Sequence, residues 1–167
     1  ESNLHRVQHM QRVRSLQDDS LKQGFDGFTS FIAWPVQLEN NSFGKRNRGQ
    51  NRVELGASAH EYLRHVAISR LFFDNIPHIQ ASWPTMGMGV AQMALFAGAD
   101  DAGSTMMEEN VVSASGTTKT LAGEDELQWT ILRAGFVPQK RDSNYRHLET
   151  DVLEEGVLPC PPPLQPA

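Results

Sequence analysis

The stretch NIPHIQASWPTMGMGVAQMALFAGADDAGSTMMEENVVSAS, residues Asn75 to Ser115, decides the predicted fold of this chain. Ile76 to Trp83 has the length and apolar content of a buried strand, and a proline and the glycines of MGMG end it. Gly89 to Phe96 is dominated by alanine, valine, methionine, leucine and phenylalanine, which predicts a buried helix. Gly98 ends that helix. The short segment Ala99 to Thr105 is the next strand candidate.

Polar side chains follow both strand candidates. In an α/β architecture, ligands bind at the carboxyl ends of parallel strands. The polar residues at the two predicted strand ends are Gln80, Ser82, Asp101, Thr105, Glu108 and Glu109. Two interpretations stay open: these groups form one wall of a ligand site, or they cap helices and satisfy turns.

Near the start of the chain, apolar residues recur at every third position and predict an amphipathic helix that ends near Gly24. The residues of this series are Leu4, Val7, Met10, Val13 and Leu16. His5 and His9 stand four positions apart on the same helix, a spacing that can hold a metal ion. Because no acidic third ligand lies nearby on that face, two solvated histidines are favoured over a metal site.

A predicted strand and a long loop come next. Phe28 to Trp34, FTSFIAW, is aromatic and β-branched, which is typical of a buried strand. Pro35 to Ala57 is long for a loop in a compact domain, and loops of this kind are usually functional or disordered. Its basic residues are Lys45, Arg46, Arg48 and Arg52. They contact an anionic substrate group or, the favoured interpretation, form a solvated lid.

Ser58 to Phe73 carries the strongest helix signal in the chain. Ser58 is a good N-cap, and Glu61 three positions later completes a capping box. The predicted apolar face consists of Tyr62, Leu63, Val66, Ala67, Leu71 and Phe72. Together with the flanking segments, this helix gives the order helix, strand, helix, strand, helix, strand. The alternation predicts an α/β fold with three parallel strands joined by right-handed crossovers.

The remainder of the chain adds one helix and an extension. Gly123 to Arg133 predicts a helix that ends at Gly135. Residues 136–148 are polar and rich in arginine, and residues 159–166 are rich in proline, which predicts neither helix nor strand. Cys160 lies among these prolines and is interpreted as incidental rather than catalytic.

The composition excludes several function classes. The chain has 167 residues, enough for one domain with a hydrophobic core but fewer than the roughly 250 of a complete eight-stranded barrel. A net charge of −5, without a basic face on a predicted helix, argues against nucleic acid as the main partner. A single cysteine leaves no disulfide framework and no CxxC metal site. Without a signal peptide or an apolar run long enough to span a membrane, we expect a cytoplasmic protein with no membrane partner.

No glycine-rich phosphate loop, GxSxG elbow or HExxH motif is present in the sequence. Several segments together resemble a known family, namely RVRSLQD, GFTSFIAWPVQ, EYLRHVAISRLFFDNIPHIQASW, GADDAGSTMMEENVV and GFVPQKRDSNY. They are similar to the C-terminal half of the radical S-adenosylmethionine enzymes of the futalosine branch of menaquinone biosynthesis. Within that group, QASWPTMG and STMMEENVV resemble the cyclic dehypoxanthinyl futalosine synthases more than the aminodeoxyfutalosine synthases or the deazaflavin-forming synthases. Asp100 departs from the asparagine that the family more often has there.

The resemblance implies a fold and two cofactors. Residues 1–137 would form the C-terminal half of a (β/α) barrel of the TIM type, and residues 138–167 a C-terminal extension and proline-rich tail. Phe28 to Trp34, Ile76 to Trp83 and Ala99 to Thr105 would be the last three strands. The cofactors would be S-adenosylmethionine and a [4Fe-4S] cluster held by the thiolates of a CxxxCxxC loop. That loop would lie upstream of Glu1, so this chain is expected to be an inactive fragment by itself.

The resemblance also assigns roles at the barrel mouth. In the complete enzyme, a 5′-deoxyadenosyl radical would abstract hydrogen from the ribose of dehypoxanthine futalosine, and the substrate radical would close onto its aromatic ring. The residues expected to bind this nucleoside-like substrate or the cofactor are Gln80, Ser82, Trp83, Asp101 and Thr105. The expected catalytic residues are Glu108 and Glu109, with Glu108 preferred for accepting the proton lost on rearomatisation. The two carboxylates are alternatively a pair at a helix cap.

Two further points follow from the resemblance. The tail residues Arg141, Tyr145 and Arg146 resemble a family extension that closes over the barrel, or they serve packing alone. Three strands cannot close a barrel, so we expect a missing N-terminal half or self-association to cover the sheet edges. The alternatives to the cyclase are a sister radical enzyme and a non-catalytic half barrel that binds a ligand or a partner chain.

Overall fold

The computed structural model describes residues 2–38, 40–47, 49–50, 53–55, 57–105 and 121–153. In chain order, the described elements are α1 (Asn3–Lys22), β1 (Ser30–Ile32), α2 (Ser42–Arg46), α3 (Ala59–Phe72), β2 (His78–Gln80), α4 (Trp83–Met86), α5 (Met88–Phe96) and α6 (Glu124–Arg133). The predicted order is confirmed from α1 to α5, with β1 limited to Ser30–Ile32 of the predicted Phe28 to Trp34 and with two additions. The long loop contains the short α2, and the end of the second predicted strand is the short α4.

The sheet is small and parallel. β1 and β2 pair in parallel, with Ser30 opposite His78 and Ile32 opposite Gln80. Beyond β2, the third predicted strand, Ala99 to Thr105, contributes one parallel bridge between Gln80 and Asp101. The prediction of a full third strand is therefore wrong for the described residues. The barrel stays a prediction.

The third segment turns away after one bridge because of local turn chemistry. The Ala81 N–H donates to the Asp101 carbonyl at 2.8 Å. Immediately afterwards, the Asp101 carboxylate accepts the N–H of Gly103 at 2.7 Å. Gly103 has a φ of +97°, which side chains with a Cβ rarely adopt. An aspartate that binds the backbone two residues later forms an Asx-turn, which competes with continued strand pairing.

The second predicted strand is also shorter than expected, because Trp83 begins a helix instead of ending a strand. Pro84 lies in the first turn of α4, where its fixed φ suits a helix and its missing N–H is no loss. The Trp83 side chain is 1% exposed and belongs to the core between α3, α5 and the sheet. Other buried members of this core are Val66, Phe73, Ile76, Ile79, Ala81 and Ala94.

The apolar series on α1 does not form one buried stripe. Met10 is buried, whereas Leu4 and Leu16 are 63% and 50% exposed. A helix turns 100° per residue, so a spacing of three rotates 60° away from the core with every step. Six positions from Met10 in either direction, the series has therefore left the buried face. On α3, Leu71 was predicted on the apolar face but is 85% exposed, because five residues place it about 140° around the helix from the buried Val66.

Gln17 joins three parts of the chain in the interior. Its side chain is 1% exposed. The amide nitrogen donates to the carbonyl oxygens of Phe28 and Asn75, each at 3.0 Å. The amide oxygen accepts the Phe28 N–H at 2.5 Å. One α1 side chain thus fixes the approach to β1 and the approach to β2.

Within the part of the chain that the structure describes, no helix combines the length and apolar character needed to cross a membrane.

Candidate functional site

The candidate site lies on one face of the sheet. Residues opposite each other on paired strands point to the same face. His78 and Gln80 therefore share a face with Ser30, and the bridge between Gln80 and Asp101 adds Asp101. The intervening Ile79 is 1% exposed and belongs to the core. The polar groups of the sheet are thus gathered on the face away from that core.

Asp101 is a buried carboxylate paired with the C-terminal extension. Its side chain is 7% exposed, and its Oδ2 accepts from Arg141 Nε at 2.8 Å and contacts Arg141 Nη2 at 2.5 Å. Its Oδ1 accepts the Gly103 N–H. Both carboxylate oxygens are therefore occupied, which holds the extension against the end of the short third segment.

Tyr145 packs into the same cluster. Its ring stacks on His78, with ring centres 4.3 Å apart and planes 14° from parallel. The Arg141 guanidinium carbon lies 4.0 Å from the centre of the Tyr145 ring, within the range of cation–π contacts. A connected series of contacts therefore runs from β2 through His78, Tyr145 and Arg141 to Asp101.

The phenol of Tyr145 is held neutral. Burial raises the pKa of Tyr145 to about 12, the neighbouring Asp101 carboxylate acts in the same direction, and Ser30 and Arg141 oppose both. At neutral pH, the hydroxyl therefore retains its proton. Its oxygen is buried, and the phenol does not serve as a base.

Asp100 anchors the opposite side of His78. Its Oδ2 lies 2.7 Å from His78 Nδ1, and its Oδ1 accepts the Ile79 N–H at 2.8 Å and pairs with Arg70. Burial raises the pKa of Asp100, but these hydrogen bonds and the nearby positive charge lower it below its ordinary value. The carboxylate at position 100 therefore serves to orient the imidazole.

We expect Asp100 to stabilise the chain only in its ionised form. Because its pKa is lower in the folded state, this stabilisation is complete above about pH 4, the value of an unfolded Asp. It is lost as the pH falls through the folded-state pKa. In urea unfolding at a series of pH values, Asp100→Asn should show a flatter loss of stability below about pH 4 than the unsubstituted chain. Parallel profiles for the two proteins would contradict this assignment.

The binding residues expected from the sequence fall into two groups. Asp101 and Thr105 line a cavity of about 760 Å³. Gln80 lies at the end of β2, and its side-chain amide makes no hydrogen bond to any residue that the structure describes. By contrast, Ser82 and Trp83 are 0% and 1% exposed.

Ser82 and Trp83 are engaged inside the protein. The Ser82 hydroxyl is 2.7 Å from that of Thr85, and the Trp83 indole N–H donates to the Ser104 carbonyl at 3.2 Å. Both side chains thus shape the loop after β2 from within. The expected catalytic pair, Glu108 and Glu109, lies outside the described residues.

Tyr62 on α3 supports this loop through one buried hydrogen bond. Its hydroxyl accepts the Ser82 N–H at 2.7 Å, and burial raises its pKa. We expect Tyr62→Phe to cost about 1–2 kcal/mol in the free energy of urea unfolding, because a buried N–H loses its acceptor. Ser69→Ala on the same helix is the control, since the buried Ser69 hydroxyl has no hydrogen-bond partner in the described structure. It should change stability by less than about 0.5 kcal/mol, and equal losses would contradict the role of Tyr62.

The cavity has the size and lining of a small-molecule site. It lies between segment 99–105, α6 and the extension. Ligand pockets usually occupy about 300–1,000 Å³ and combine apolar walls with a few polar groups. Leu127, Ile131 and Phe136 form apolar lining, while Asp101, Tyr145 and His78 bring the polar cluster to its wall. The cavity can therefore take an aromatic ligand with hydroxyl groups.

Sequence reasoning missed His78 and assigned Tyr145 no more than closure or packing. His78 was hidden inside a predicted buried strand. The available signal was the alternation of the strand, which places His78 on the same face as Gln80. The side chain that stacks on His78, Tyr145, lies 67 positions further along the chain. Local pattern alone cannot reveal such a pairing.

His5 and the basic residues Lys45 and Arg46 have local structural roles, whereas Arg48 and Arg52 lie outside the described residues. No group of three or more His, Cys, Asp or Glu side chains within the described residues could hold a metal ion. His5 instead completes the capping box of α1 with Ser2. In the basic loop, Lys45 and Arg46 lie in the last turn of α2, where positive charge is favourable.

Several known proteins are similar in sequence to most of this chain. A cyclic dehypoxanthine futalosine synthase from Halalkalibacterium halodurans is 44% identical over 150 residues, covering 90% of this chain and 37% of the relative. An aminodeoxyfutalosine synthase from Thermus thermophilus is 36% identical, covering 86% of this chain and 36% of the relative. A 5-amino-6-(D-ribitylamino)uracil–L-tyrosine 4-hydroxyphenyl transferase from Methanococcus maripaludis is 36% identical, covering 89% and 40%.

The chain thus spans less than half the length of these curated relatives. The family model described as the CofH/MqnC C-terminal region matches residues 25–153. That range includes the sheet, the cavity and the extension with Arg141 and Tyr145. The resemblance proposed from the sequence is therefore confirmed, and the chain belongs to the CofH/MqnC C-terminal region family.

Proposed function

We propose that this chain is the C-terminal part of a radical S-adenosylmethionine cyclase that converts dehypoxanthine futalosine to cyclic dehypoxanthine futalosine in menaquinone biosynthesis. The sequence identities favour the cyclase over this sister enzyme, at 42–44% to cyclic dehypoxanthine futalosine synthases against 36–38% to aminodeoxyfutalosine synthases. The chain would supply one wall of the site and not the whole reaction.

The observation that carries the proposal is the cavity beside Asp101. Its lining combines carboxylate, hydroxyl and aromatic groups with an apolar wall. The proposed substrate joins a ribose to an aromatic ring. Thr105 can donate a hydrogen bond to a ribose oxygen, and Leu127 and Ile131 can pack against a ring. Gln80 is not among the residues that line this cavity; its amide makes no hydrogen bond to the described residues, and it would contact the substrate from the end of β2.

Two cofactors belong to this proposal. S-adenosylmethionine with a [4Fe-4S] cluster would supply the radical that abstracts hydrogen from the substrate. Since the described residues contain no group that could hold a metal ion, the cluster ligands would come from elsewhere in the polypeptide. This part of the chain would bind and orient the substrate. Rearomatisation of the cyclised radical releases one proton and one electron. One carboxylate, Glu108 before Glu109, would accept the proton, and the electron would pass to a one-electron acceptor such as the oxidised cluster.

The test uses the complete enzyme encoded with this chain. It is reconstituted anaerobically with its cluster and supplied with a one-electron reductant, S-adenosylmethionine and dehypoxanthine futalosine. We expect the cyclised product by mass spectrometry, and its absence with a loaded cluster would overturn the proposal.

The same assay separates the alternatives. Turnover of the substrate of a sister enzyme, aminodeoxyfutalosine synthase or a deazaflavin-forming synthase, would assign the chain to that sister. A coding sequence without an in-frame CxxxCxxC upstream of Glu1 would instead favour a half barrel that binds a ligand or a partner.

A further inference from the structure

The turn that presents Tyr145 is built by Asp142. Its Oδ1 accepts the N–H groups of Asn144 and Arg146 at 2.8 and 2.9 Å. Its carbonyl accepts the Tyr145 N–H at 3.1 Å. Tyr145 itself has a φ of +60°, a conformation that is uncommon for a residue with a bulky side chain. Such a conformation persists only where the surroundings enforce it, and it is found preferentially at functional sites.

The ring of Tyr145 contacts one group from the sheet and one from its own extension. On the sheet it stacks on His78, which Asp100 orients. In the extension it contacts the Arg141 guanidinium, which in turn pairs with Asp101. Arg141 also forms an antiparallel bridge with His147 that closes the turn. The Tyr145 ring therefore lies between His78 on β2 and Arg141, which pairs with the Asp101 carboxylate.

From these contacts we infer that Tyr145 is a positioning residue. Its ring holds Arg141 and through it fixes Asp101 at the wall of the cavity, on the sheet face that also carries Gln80. This inference rests on the proposed function, because the molecule that the wall would position is the substrate of that reaction. A rigid wall would commit each radical to cyclisation, since small displacements of a bound substrate strongly reduce reaction.

Packing alone makes a different prediction. If Tyr145 only stabilises the fold, removing its ring lowers the melting temperature. The enzyme that remains folded would then form as much cyclised product per 5′-deoxyadenosine as the unsubstituted enzyme. If it positions the site, the folded variant still cleaves S-adenosylmethionine, but a fraction of the radicals does not lead to cyclised product. The ratio of 5′-deoxyadenosine released to cyclised product separates the two cases.

The experiment compares Tyr145→Leu with Tyr145→Phe in the complete, cluster-loaded enzyme with dehypoxanthine futalosine. Leucine removes the stacking and cation–π contacts, whereas phenylalanine keeps the ring and loses only the hydroxyl. We expect Tyr145→Leu to raise the ratio of 5′-deoxyadenosine to product by about tenfold and to lower kcat. Tyr145→Phe should keep the ratio within about twofold of that of the unsubstituted enzyme. Asn144→Ala, at an exposed position in the same turn and outside the cavity lining, is the control and should leave the ratio unchanged.

Arg141→Lys provides a second variant where Tyr145→Leu fails to fold. Lysine keeps the charge but loses the planar group that contacts both Tyr145 and Asp101. It should also raise the ratio. An unchanged ratio in a folded Tyr145→Leu or Arg141→Lys enzyme would overturn the inference while the proposed function stands. No cyclised product from the unsubstituted enzyme would overturn the proposed function and this inference with it.

Discussion

Replacing Gln17 with leucine is expected to reduce the free energy of unfolding by about 3 kcal/mol, since it removes several buried hydrogen bonds at once. Leucine keeps most of the volume but has no polar atoms. The Phe28 N–H, the Phe28 carbonyl and the Asn75 carbonyl, which now bond to the Gln17 amide, would lose that partner. The midpoint of urea unfolding measures the loss.

Gln11→Leu is the matched control for this prediction. Gln11 is exposed on the same helix, so the same chemical change there should shift stability by less than about 0.5 kcal/mol. If the two variants unfolded at the same urea concentration, the role of Gln17 as an interior bridge would be wrong. Gly27 supports that role, because a Cβ there would lie 2.4 Å from the Gln17 amide oxygen.

Glu108→Gln is expected to lower the turnover of the complete enzyme by about 10²–10⁴, the usual contribution of a general base. The proposal that it accepts the proton lost on rearomatisation depends on the family resemblance, because Glu108 lies outside the described residues. Glutamine keeps the shape of the side chain but cannot take up a proton. The rate of cyclised product measures the effect, and urea unfolding checks that the fold is intact.

Glu109→Gln is the comparison that decides between the neighbouring carboxylates. A larger loss with Glu109→Gln would transfer the proposed role to Glu109. Glu149→Gln, at an exposed position of the extension, is the neutral control. An unchanged turnover in Glu108→Gln would remove Glu108 from the mechanism.

The elements of this fold could be predicted where the signal is local. Ser58 accepts the Glu61 N–H as the N-cap of α3, and Gly98 follows α5 with a φ of +111°. In each case, one residue and its near neighbours determine the structure. The lengths of the strands were not predictable in this way. The turn at Asp101 shortens the third predicted strand, and the helix start at Pro84 shortens the second. The apolar pattern carries no information about these competing local structures.

The candidate site could be predicted only in part. The polar residues at the predicted strand ends included Gln80 and Asp101, which the structure places next to each other, but the alternation that places His78 on the same face was not used. Ser82 was expected to contact a ligand, but in the structure its hydroxyl bonds to Thr85. A polar residue at a strand end can face the ligand or satisfy the backbone, and its type alone does not separate the two.

By itself, the sequence determined the order of the elements, the parallel pairing of the first two strands and the family. These depend on periodicity, capping and short motifs, which act over a few residues. Only the tertiary structure decided that Gln17 joins α1 to both strand approaches and that Tyr145 lies between His78 and Arg141. These contacts join residues far apart in the chain, and their geometry exists only after the core between α3, α5 and the sheet has packed.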